Sequence, residues 1–311
     1  MSKRESPDAM LDKMVLAATL YYKEKLSQQE IAKRLNVSRP WVSKLLSRAE
    51  DLGIVKIEIV SPLSGNSELE RKLCEKYGLQ HAGVADKKDR DYVSLAAAQY
   101  FVSQLESNDV VGIGWGDAIS RFLRELTPLH LPNVHTVPLA GSFGATKETL
   151  PNYHAMELAR KLGGQPHLLH LPAFCGSQEE YDLLSESQMW NELRHMGEHA
   201  DLAVVGIGTL FSSFLTRNQV LSEGEQKELA EAGAVGDVIL HFLNEEGESV
   251  ETELTKRLLR VDITEVKKHA RTVIAIAEGL EKLPVIRAAL RCGLADSFFT
   301  DTETAEALLK D

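Results

Sequence analysis

The sequence predicts a two-part α/β protein. A winged helix-turn-helix is expected over residues 1–60, and a larger, doubly wound, mainly parallel α/β domain over residues 61–311. Two capped helical segments stand close together near the N-terminus, as in a helix-turn-helix. From residue 109 onward, strand-like and helix-like segments alternate, which is typical of a parallel sheet covered by helices. Between the two regions lies a stretch rich in Ser, Pro and Gly, residues 61–67, which is typical of a linker.

Charge is divided unevenly along the chain. The net charge is −11, but residues 1–60 hold 11 Lys+Arg against 8 Asp+Glu, whereas the remainder holds 24 against 38. Within residues 27–48, Glu30 is the one acid among five basic side chains. An acidic body repels phosphate, so the basic segment is the part suited to nucleic acid.

Composition points away from several classes of protein. No apolar run approaches the roughly 20 residues that span a bilayer, and no apolar stretch follows the first basic residues, as a secretory signal would require. Cys74, Cys175 and Cys292 are far apart, so neither a disulfide framework nor a zinc site is indicated. We expect a cytoplasmic protein without a cofactor, a metal site or a membrane association.

The helix-turn-helix is predicted from spacing and capping. Apolar residues recur at helical intervals over residues 11–24. Ser27 and Glu30 form a capping box that starts a helix over residues 28–35, and Asn36 is a suitable left-handed stop. Ser38 can cap the next helix, in which Pro40 is tolerated in the first turn. A β-branched strand at residues 54–60 would form the wing.

The exposed first turn of the last helix is basic and rich in hydroxyls, so we expect residues 38–44 to enter the major groove. The predicted DNA contacts are Gln28, Ser38, Arg39, Trp41, Val42, Ser43 and Lys44. Arg39 and Lys44 can pair with guanine or with phosphate, and Trp41 can contact a thymine methyl, a sugar, or only its own helix bundle. A helical subdomain used for packing or dimerisation is the alternative, but the short turn and the basic helix start favour DNA.

The larger region contains a series of strands and helices. Strands are predicted at residues 109–114, 134–139, 167–171, 202–207, 235–242, 272–277 and 296–300. Helices are predicted at residues 117–126, 153–162, 179–197, 223–232, 283–291 and 302–309.

Glycine-rich or polar segments follow several of these strands. Parallel sheets bind ligands at the carboxyl ends of their strands, where glycine amides can approach an anion. The predicted effector contacts are Gly114, Trp115, Gly116, Gly141, Ser142, Phe143, Gly144, Asp237, Glu278 and Lys282. Asp237 can accept sugar hydroxyls and Lys282 can supply a positive charge. Each of these residues also has a purely structural explanation: the glycines can form turns, Asp237 can cap a helix and Lys282 can be solvated. The glycine spacing matches neither a dinucleotide fingerprint nor a P-loop.

These motifs together resemble the SorC family, the bacterial transcriptional regulators with a DeoR-type sugar-binding domain. In the N-terminal part the resemblance rests on Leu-Tyr-Tyr at 20–22, Leu-Ser-Gln-Gln-Glu-Ile-Ala at 26–32 and Val-Ser-Arg at 37–39. In the larger part it rests on segments at 112–116, 139–144, 205–208, 234–237, 281–282 and 300–305. The resemblance implies a phosphosugar-binding domain, a homotetramer, and an effector that alters operator affinity. It also implies effector contacts at residues 141–144, Asp237 and Lys282.

Two positions depart from the family pattern. Some members have a lysine before the glycine loop, where this chain has Ala140, so a Schiff base at that position is excluded. Members often have Gly-Gly before a Glu-Glu-Lys element, but here Leu280 follows Gly279. A sugar, a polyol or a sugar phosphate therefore all stay open as effectors.

Two other functions are open to this sequence. A sugar-phosphate isomerase or deaminase would need a carboxylate base, for which Asp237 or Glu278 is available. A metal site would use His195 and His199, four residues apart on a predicted helix, although no third ligand is evident. The helix-turn-helix argues against the enzyme, and an exposed helix face accounts for the two histidines.

Overall fold

The computed structural model describes residues 7–24, 26–52, 54–55, 67–85, 91–143, 150–210, 215 and 220–310. The chain divides into two compact units, Met1–Ser61 and Pro62–Asp311, and each is considered by itself.

The small unit is helical in its described part. Helix α1 spans Pro7–Ala18 and continues into a π-helical turn at Thr19–Lys23, whereas the sequence predicted a single helix over 11–24. Helix α2 spans Gln28–Leu35, and α3 spans Arg39–Asp51. Their shared core is formed by apolar side chains from all three helices: Met14, Ala17, Leu20, Ile31, Val42, Leu45, Leu46 and Ala49.

Capping confirms the predicted start and end of α2. The Ser27 hydroxyl accepts from the Glu30 amide, and the Glu30 carboxylate accepts from the Ser27 amide at 2.8 Å. Asn36 ends the helix in the left-handed conformation, with φ 51°. The tight turn before α3 therefore forms as predicted. Of the wing predicted at 54–60, only Ile54 and Val55 are described, as a bend, and residues 56–60 lie outside the described residues.

The large unit is built on a seven-stranded parallel sheet with the order β1-β10-β9-β5-β2-β3-β4. Its strands are β1 His81–Ala85, β2 Val110–Ile113, β3 His135–Pro138, β4 Gln165–Pro166, β5 Leu202–Gly206, β9 Thr272–Ile276 and β10 Ser297–Asp301. A small antiparallel sheet contains β6 Gly208–Thr209, β7 Gly236–Val238 and β8 His241–Leu243.

Helices cover both faces of the parallel sheet, because its strands are apolar on both sides. They are α4 Ser67–Tyr77, α5 Tyr92–Gln104, α6 Asp117–Glu125, α7 Pro151–Leu162, α8 Gln178–Ser185, α9 Gln188–Glu198, α10 Glu223–Glu231, α11 Ile263–His269, α12 Leu283–Arg291 and α13 Thr302–Leu309. Alternate strand residues enter two separate cores: Val205 belongs to one and Val204 to the other. The doubly wound fold is confirmed.

Three predicted elements were wrong in detail. The segment 167–171 is not a strand, because Asn152 and Ser142 take the backbone groups of Leu169 and Leu171. The segment 235–242 is a hairpin rather than one strand, with its turn at Ile239 and Leu240. The segment 179–197 is two helices, because the extended Ser187 interrupts it and caps the second.

The strand order reverses between β2 and β5. From β2 the chain moves outward to β3 and β4, and it then returns to β5 on the other side of β2. At such a reversal the loops at the carboxyl ends of the two strands leave in opposite directions, which opens a crevice. The segments after β3, β2, β5 and β9 all lie along this edge of the sheet.

We predict that Ser27→Ala destabilises the small unit by about 1 kcal/mol, because the Glu30 amide loses its acceptor. Hydrogen exchange of residues 28–50, followed by mass spectrometry, measures this loss. Ser222→Ala removes the matching capping box of α10 and serves as a control, since it should lower protection in the large unit only. Unchanged exchange in the small unit of Ser27→Ala would contradict the role of this cap.

Candidate DNA-binding and effector-binding sites

The exposed face of α3 carries most of the predicted DNA contacts. Ser38, Arg39, Ser43 and Lys44 are exposed, and so are Ser47 and Arg48 one turn further along. No ion pair to another described residue occupies Arg39, Lys44 or Arg48. Three cations on one helix face are therefore available to phosphates or to base edges.

Two of the predicted DNA contacts have a structural role. Val42 is 0% exposed and packs in the core of the small unit, so its side chain cannot reach a base, and its inclusion in the contact set is corrected. Trp41 is half-buried, and Lys13 of α1 lies over its ring at 5.5 Å from the centroid. Gln28 is half-buried at the start of α2.

The first loop of the effector site follows β2. The Gly114 amide donates to the Val204 carbonyl at 2.8 Å, which ties the loop to β5. Gly116 has a φ of +102°, which favours glycine, and it leads directly into α6. The buried His154 reinforces this loop, since its ring lies 3.3 Å from the Gly114 carbonyl and 3.0 Å from the Ser120 hydroxyl. The sequence did not identify His154.

The second loop follows β3. A Cβ on Gly141 would lie 2.5 Å from the Pro172 carbonyl oxygen, so only glycine allows this close approach. Asn152, also missed from sequence, donates to the Ser142 hydroxyl at 3.1 Å and thereby holds the loop. The Phe143 ring meets the Trp115 ring edge-on at 5.3 Å between centroids, so the first two loops are in contact. Gly144 lies outside the described residues.

Asp237 lies on the hairpin that follows β5. One oxygen of its carboxylate accepts from the Leu240 amide at 2.9 Å, and the other accepts from no described residue. Burial raises the pKa of Asp237 to about 6, although the Leu240 amide, Arg260 and Lys282 oppose this shift. The hairpin turn is unusual, because Ile239 and Leu240 have φ of 45° and 65° where glycine or asparagine is common.

Lys282 and Glu278 follow β9 on the same edge. The Lys282 ammonium donates to the Ile207 carbonyl at 3.2 Å, and burial lowers its pKa. The buried Glu278 carboxylate accepts from Arg121 at 2.6 Å, and Arg121 also reaches Asp91 at 2.9 Å. Glu278 is thus held through one oxygen by an ion pair with Arg121, and Lys282 and Asp237 retain open hydrogen-bonding positions.

The predicted effector residues therefore meet at one edge of the sheet. The aromatic contact joins the first two loops, Ile239 packs near Gly114, and the charge of Lys282 acts on Asp237. The amides of Gly114, Gly141 and Ser142 donate to backbone carbonyls of the protein, so the anion-binding role predicted for the glycine amides is not open to these three. The carboxylate of Asp237 and the ammonium of Lys282 retain open positions, and an acceptor beside a donor suits a polyhydroxylated molecule.

The histidine pair considered as a metal site contacts a third histidine. His195 and His199 rings lie 4.2 Å apart, and His269 stacks on His199 at the same distance. Within the described ranges, no group of three or more His, Cys, Asp or Glu side chains is arranged to hold a metal ion. Nor does any helix in this part of the chain have the length and apolarity needed to cross a membrane.

Comparison with protein families matches both units. Residues 61–310 match the Sugar-bind family, described as a "putative sugar-binding domain", and residues 13–51 match region 4 of sigma-70 factors. The chain belongs to the SorC family of transcriptional regulators. Its function is accordingly that of a DNA-binding regulator with a sugar-binding domain.

Individual relatives match along nearly their whole length. The deoxyribonucleoside regulator of Bacillus subtilis (strain 168) is 28% identical, with 95% of this chain and 96% of the relative covered. The erythritol catabolism regulatory protein EryD of Brucella abortus (strain 2308) is 29% identical, with 94% and 95% covered. The structure of the full-length sorbitol operon regulator SorC from Klebsiella pneumoniae aligns with a TM-score of 0.80 at 28% identity, covering 98% of this chain and 100% of that one.

We predict that Asp237→Asn stabilises the large unit at neutral pH. Because burial raises the pKa of Asp237 from 3.8 to about 6, folding favours its protonated form. That stabilisation is complete below pH 4 and is lost as the pH rises through 6, at a cost of at most about 3 kcal/mol. Urea unfolding of the full chain, followed by tryptophan fluorescence, to which Trp115 and Trp190 contribute alongside Trp41 of the small unit, should show the advantage of the variant growing between pH 4 and 7.

The exposed carboxylate of Asp182 offers a control with the same change of charge. Asp182→Asn should leave the pH dependence of unfolding close to that of the wild type. An Asp237→Asn variant whose advantage is the same at pH 4 and pH 7 would contradict the cost assigned to the buried carboxylate.

Proposed function

We propose that a sugar, polyol or sugar phosphate binds at the carboxyl edge of the parallel sheet and controls the affinity of the small unit for operator DNA. The observation that carries the proposal is the convergence of four polar elements at the strand reversal: the two glycine loops, Asp237 and Lys282. Asp237 offers an open carboxylate oxygen and Lys282 has donors to spare, so both can bind substituents of such a ligand. Regulators of sorbitol, erythritol and deoxyribonucleoside metabolism among the relatives agree with an effector of this class.

On the DNA side, we propose that Ser38, Arg39, Ser43 and Lys44 contact the operator, with Gln28 and Trp41 at the margin of the interface. The exposed basic face of α3 supports this assignment. A dimer would present two such helices about 34 Å apart, one turn of DNA. We further propose a homotetramer, as the resemblance to the family implies, and a location in the cytoplasm, where the three widely separated cysteines would stay reduced.

Effector and DNA binding are linked thermodynamically in this proposal. An effector that favours one state of the regulator by about 1 to 3 kcal/mol changes its DNA affinity by roughly 5- to 150-fold. Either sign of regulation is compatible with this coupling.

We propose that the site binds its ligand without transforming it. Proton abstraction needs a carboxylate that is free to approach the substrate. Glu278 is held by Arg121, and Asp237 is tied to its own hairpin turn through one oxygen, which fixes its carboxylate in place and leaves the other oxygen to accept hydroxyl groups of the ligand. We expect no isomerisation or deamination of any sugar phosphate by the full-length protein, measured by product formation. Turnover that is abolished by Asp237→Asn would favour an enzyme instead.

Two substitutions test the division of labour between the units. Arg39→Ala should weaken operator binding by roughly 5- to 150-fold if Arg39 pairs with guanine, while effector binding stays intact. Asp237→Ala should remove the response to effector while DNA binding without effector persists. Fluorescence anisotropy with DNA selected by the wild type measures the first effect, and its change upon adding effector measures the second.

Arg194→Ala provides a matched control, since it removes an exposed arginine of α9 in the large unit. It should leave both activities near the wild-type level. If a folded Arg39→Ala or Asp237→Ala variant lost both activities together, the division proposed here would be refuted.

A further inference from the structure

A lysine of the first helix, which the sequence did not single out as a DNA contact, lies against the helix proposed to enter the groove. Lys13 belongs to α1, and its ammonium lies over the Trp41 ring at 5.5 Å from the centroid. Trp41 is in the first turn of α3. Helices α1 and α3 share the core of the small unit, so packing fixes their relative position. Lys13 is therefore held beside the amino-terminal end of α3.

Trp41 lies at one edge of the exposed face of α3. Lys44 and Arg48 follow it at intervals of three and four residues, so the three side chains form a single row along the helix. We call these three residues the Trp41 row. Lys44 and Arg48 are exposed, and Trp41 is half-buried because it borders the core. Arg39 and Ser43, four residues apart, lie on the other side of the exposed face.

A helix in the major groove faces both phosphate backbones. The groove is about 12 Å wide and a helix with its side chains is about 10–12 Å across, so the helix fills the groove. The middle of its exposed face then meets base edges, and its two sides meet the two backbones. The Trp41 row accordingly faces one backbone, and Lys13 extends the charge of that row from α3 onto α1.

The Trp41 ring gives the ammonium of Lys13 a defined position. A cation is attracted to the face of an indole ring, and the aliphatic stem of a half-buried lysine packs while its charge stays at the surface. An ammonium has three donors that point in different directions, so it can bind a ring face and a phosphate oxygen at the same time. The arrangement thus suits a lysine that is oriented in advance toward an anion.

We infer that Lys13 binds a phosphate of the DNA backbone, next to a phosphate bound by Arg48, and that Trp41 is the residue that positions Lys13. This inference rests on the proposed function, and it gives α1 a part in the DNA interface that was assigned to α2 and α3. The competing explanation is that the contact between Lys13 and Trp41 only stabilises the packing of α1 on α3.

The salt dependence of DNA binding by the full-length protein tests the inference. A cation that neutralises a phosphate releases counterions, so each lost contact reduces the slope of log affinity against log salt concentration by about 0.9. Lys13→Gln should show this reduction between about 50 and 200 mM salt, and should bind roughly 5- to 10-fold more weakly at about 100 mM. Fluorescence anisotropy measures both quantities.

The identity of the DNA separates phosphate contacts from base contacts. Phosphates carry no sequence information, so Lys13→Gln should weaken binding equally to DNA selected by the wild type and to an unrelated duplex of the same length. Lys13→Arg keeps a cation over the ring and should restore most of the slope.

Further variants test the two neighbours of Lys13. Arg48→Gln should reduce the slope by about 0.9, and combined with Lys13→Gln by about 1.8. Trp41→Leu removes the ring but not the charge of Lys13, so adding Lys13→Gln to it should change the slope by less than in the wild type. Arg34→Gln is the control, because this exposed arginine of α2 is already paired with Glu24 at 3.2 Å, and its slope should equal that of the wild type.

Hydrogen exchange over residues 28–50 accounts for any loss of stability. If Lys13 only supported packing, Lys13→Gln would lower protection and affinity but keep the full slope, because the folded molecules would bind the same phosphates. An unchanged slope, or a loss of affinity confined to the selected DNA, overturns the inference and leaves the proposed function intact. An equal effect of Lys13→Gln with and without Trp41 would refute the positioning role of Trp41. A wild type that binds neither DNA would instead refute the proposed function itself.

Discussion

The reversal of strand order between β2 and β5 determines where this regulator can hold a small molecule. Parallel strands direct all their carboxyl ends to one edge, and the reversal prevents the following segments from closing over it. The loops after β2 and β3, the hairpin after β5 and the segment after β9 therefore share that edge. Gly141 must approach the neighbouring backbone so closely that a side chain is excluded. The position of the site is thus set by the topology of the sheet, and individual side chains determine which ligand the site can bind.

The charges at this edge oppose the stability of the domain. Asp237, Lys282 and Arg260 each have a pKa displaced by burial toward the neutral form. Stability alone does not explain why charged groups stand at these positions, since apolar side chains of similar volume are often more stabilising there. Elsewhere in the same domain buried charges are compensated, as with Asp296 and Lys267. The contrast between compensated and open charges is what distinguishes a ligand site from ordinary structural ion pairs.

The architecture was predictable from sequence because it depends on local signals that are strong. A capping box such as that of Ser27 and Glu30 specifies where a helix begins, and Asn36 specifies where it ends. Apolar segments followed by glycines specify the strands and the loops after them. Residues that support the site from a distance were not predictable. His154 and Asn152 lie on α7, and Arg260 lies in an irregular segment between two helices, so only the folded chain brings them to their loops. Val42 was misassigned because helical spacing places it next to exposed residues although its own side chain points inward.

The hairpin turn after Asp237 shows why local rules fail there. Left-handed conformations cost roughly 1–2 kcal/mol per residue outside glycine, and Ile239 and Leu240 adopt them consecutively. Both side chains are almost fully buried, which contributes about 1.5–3 kcal/mol each and offsets the strain. Asp237 and Arg260 complete the turn by bonding the backbone of Leu240. Asp237, which is proposed to bind the effector, is therefore also one of the two charged groups that hold a strained turn, so a ligand that binds Asp237 acts on the conformation of the hairpin as well.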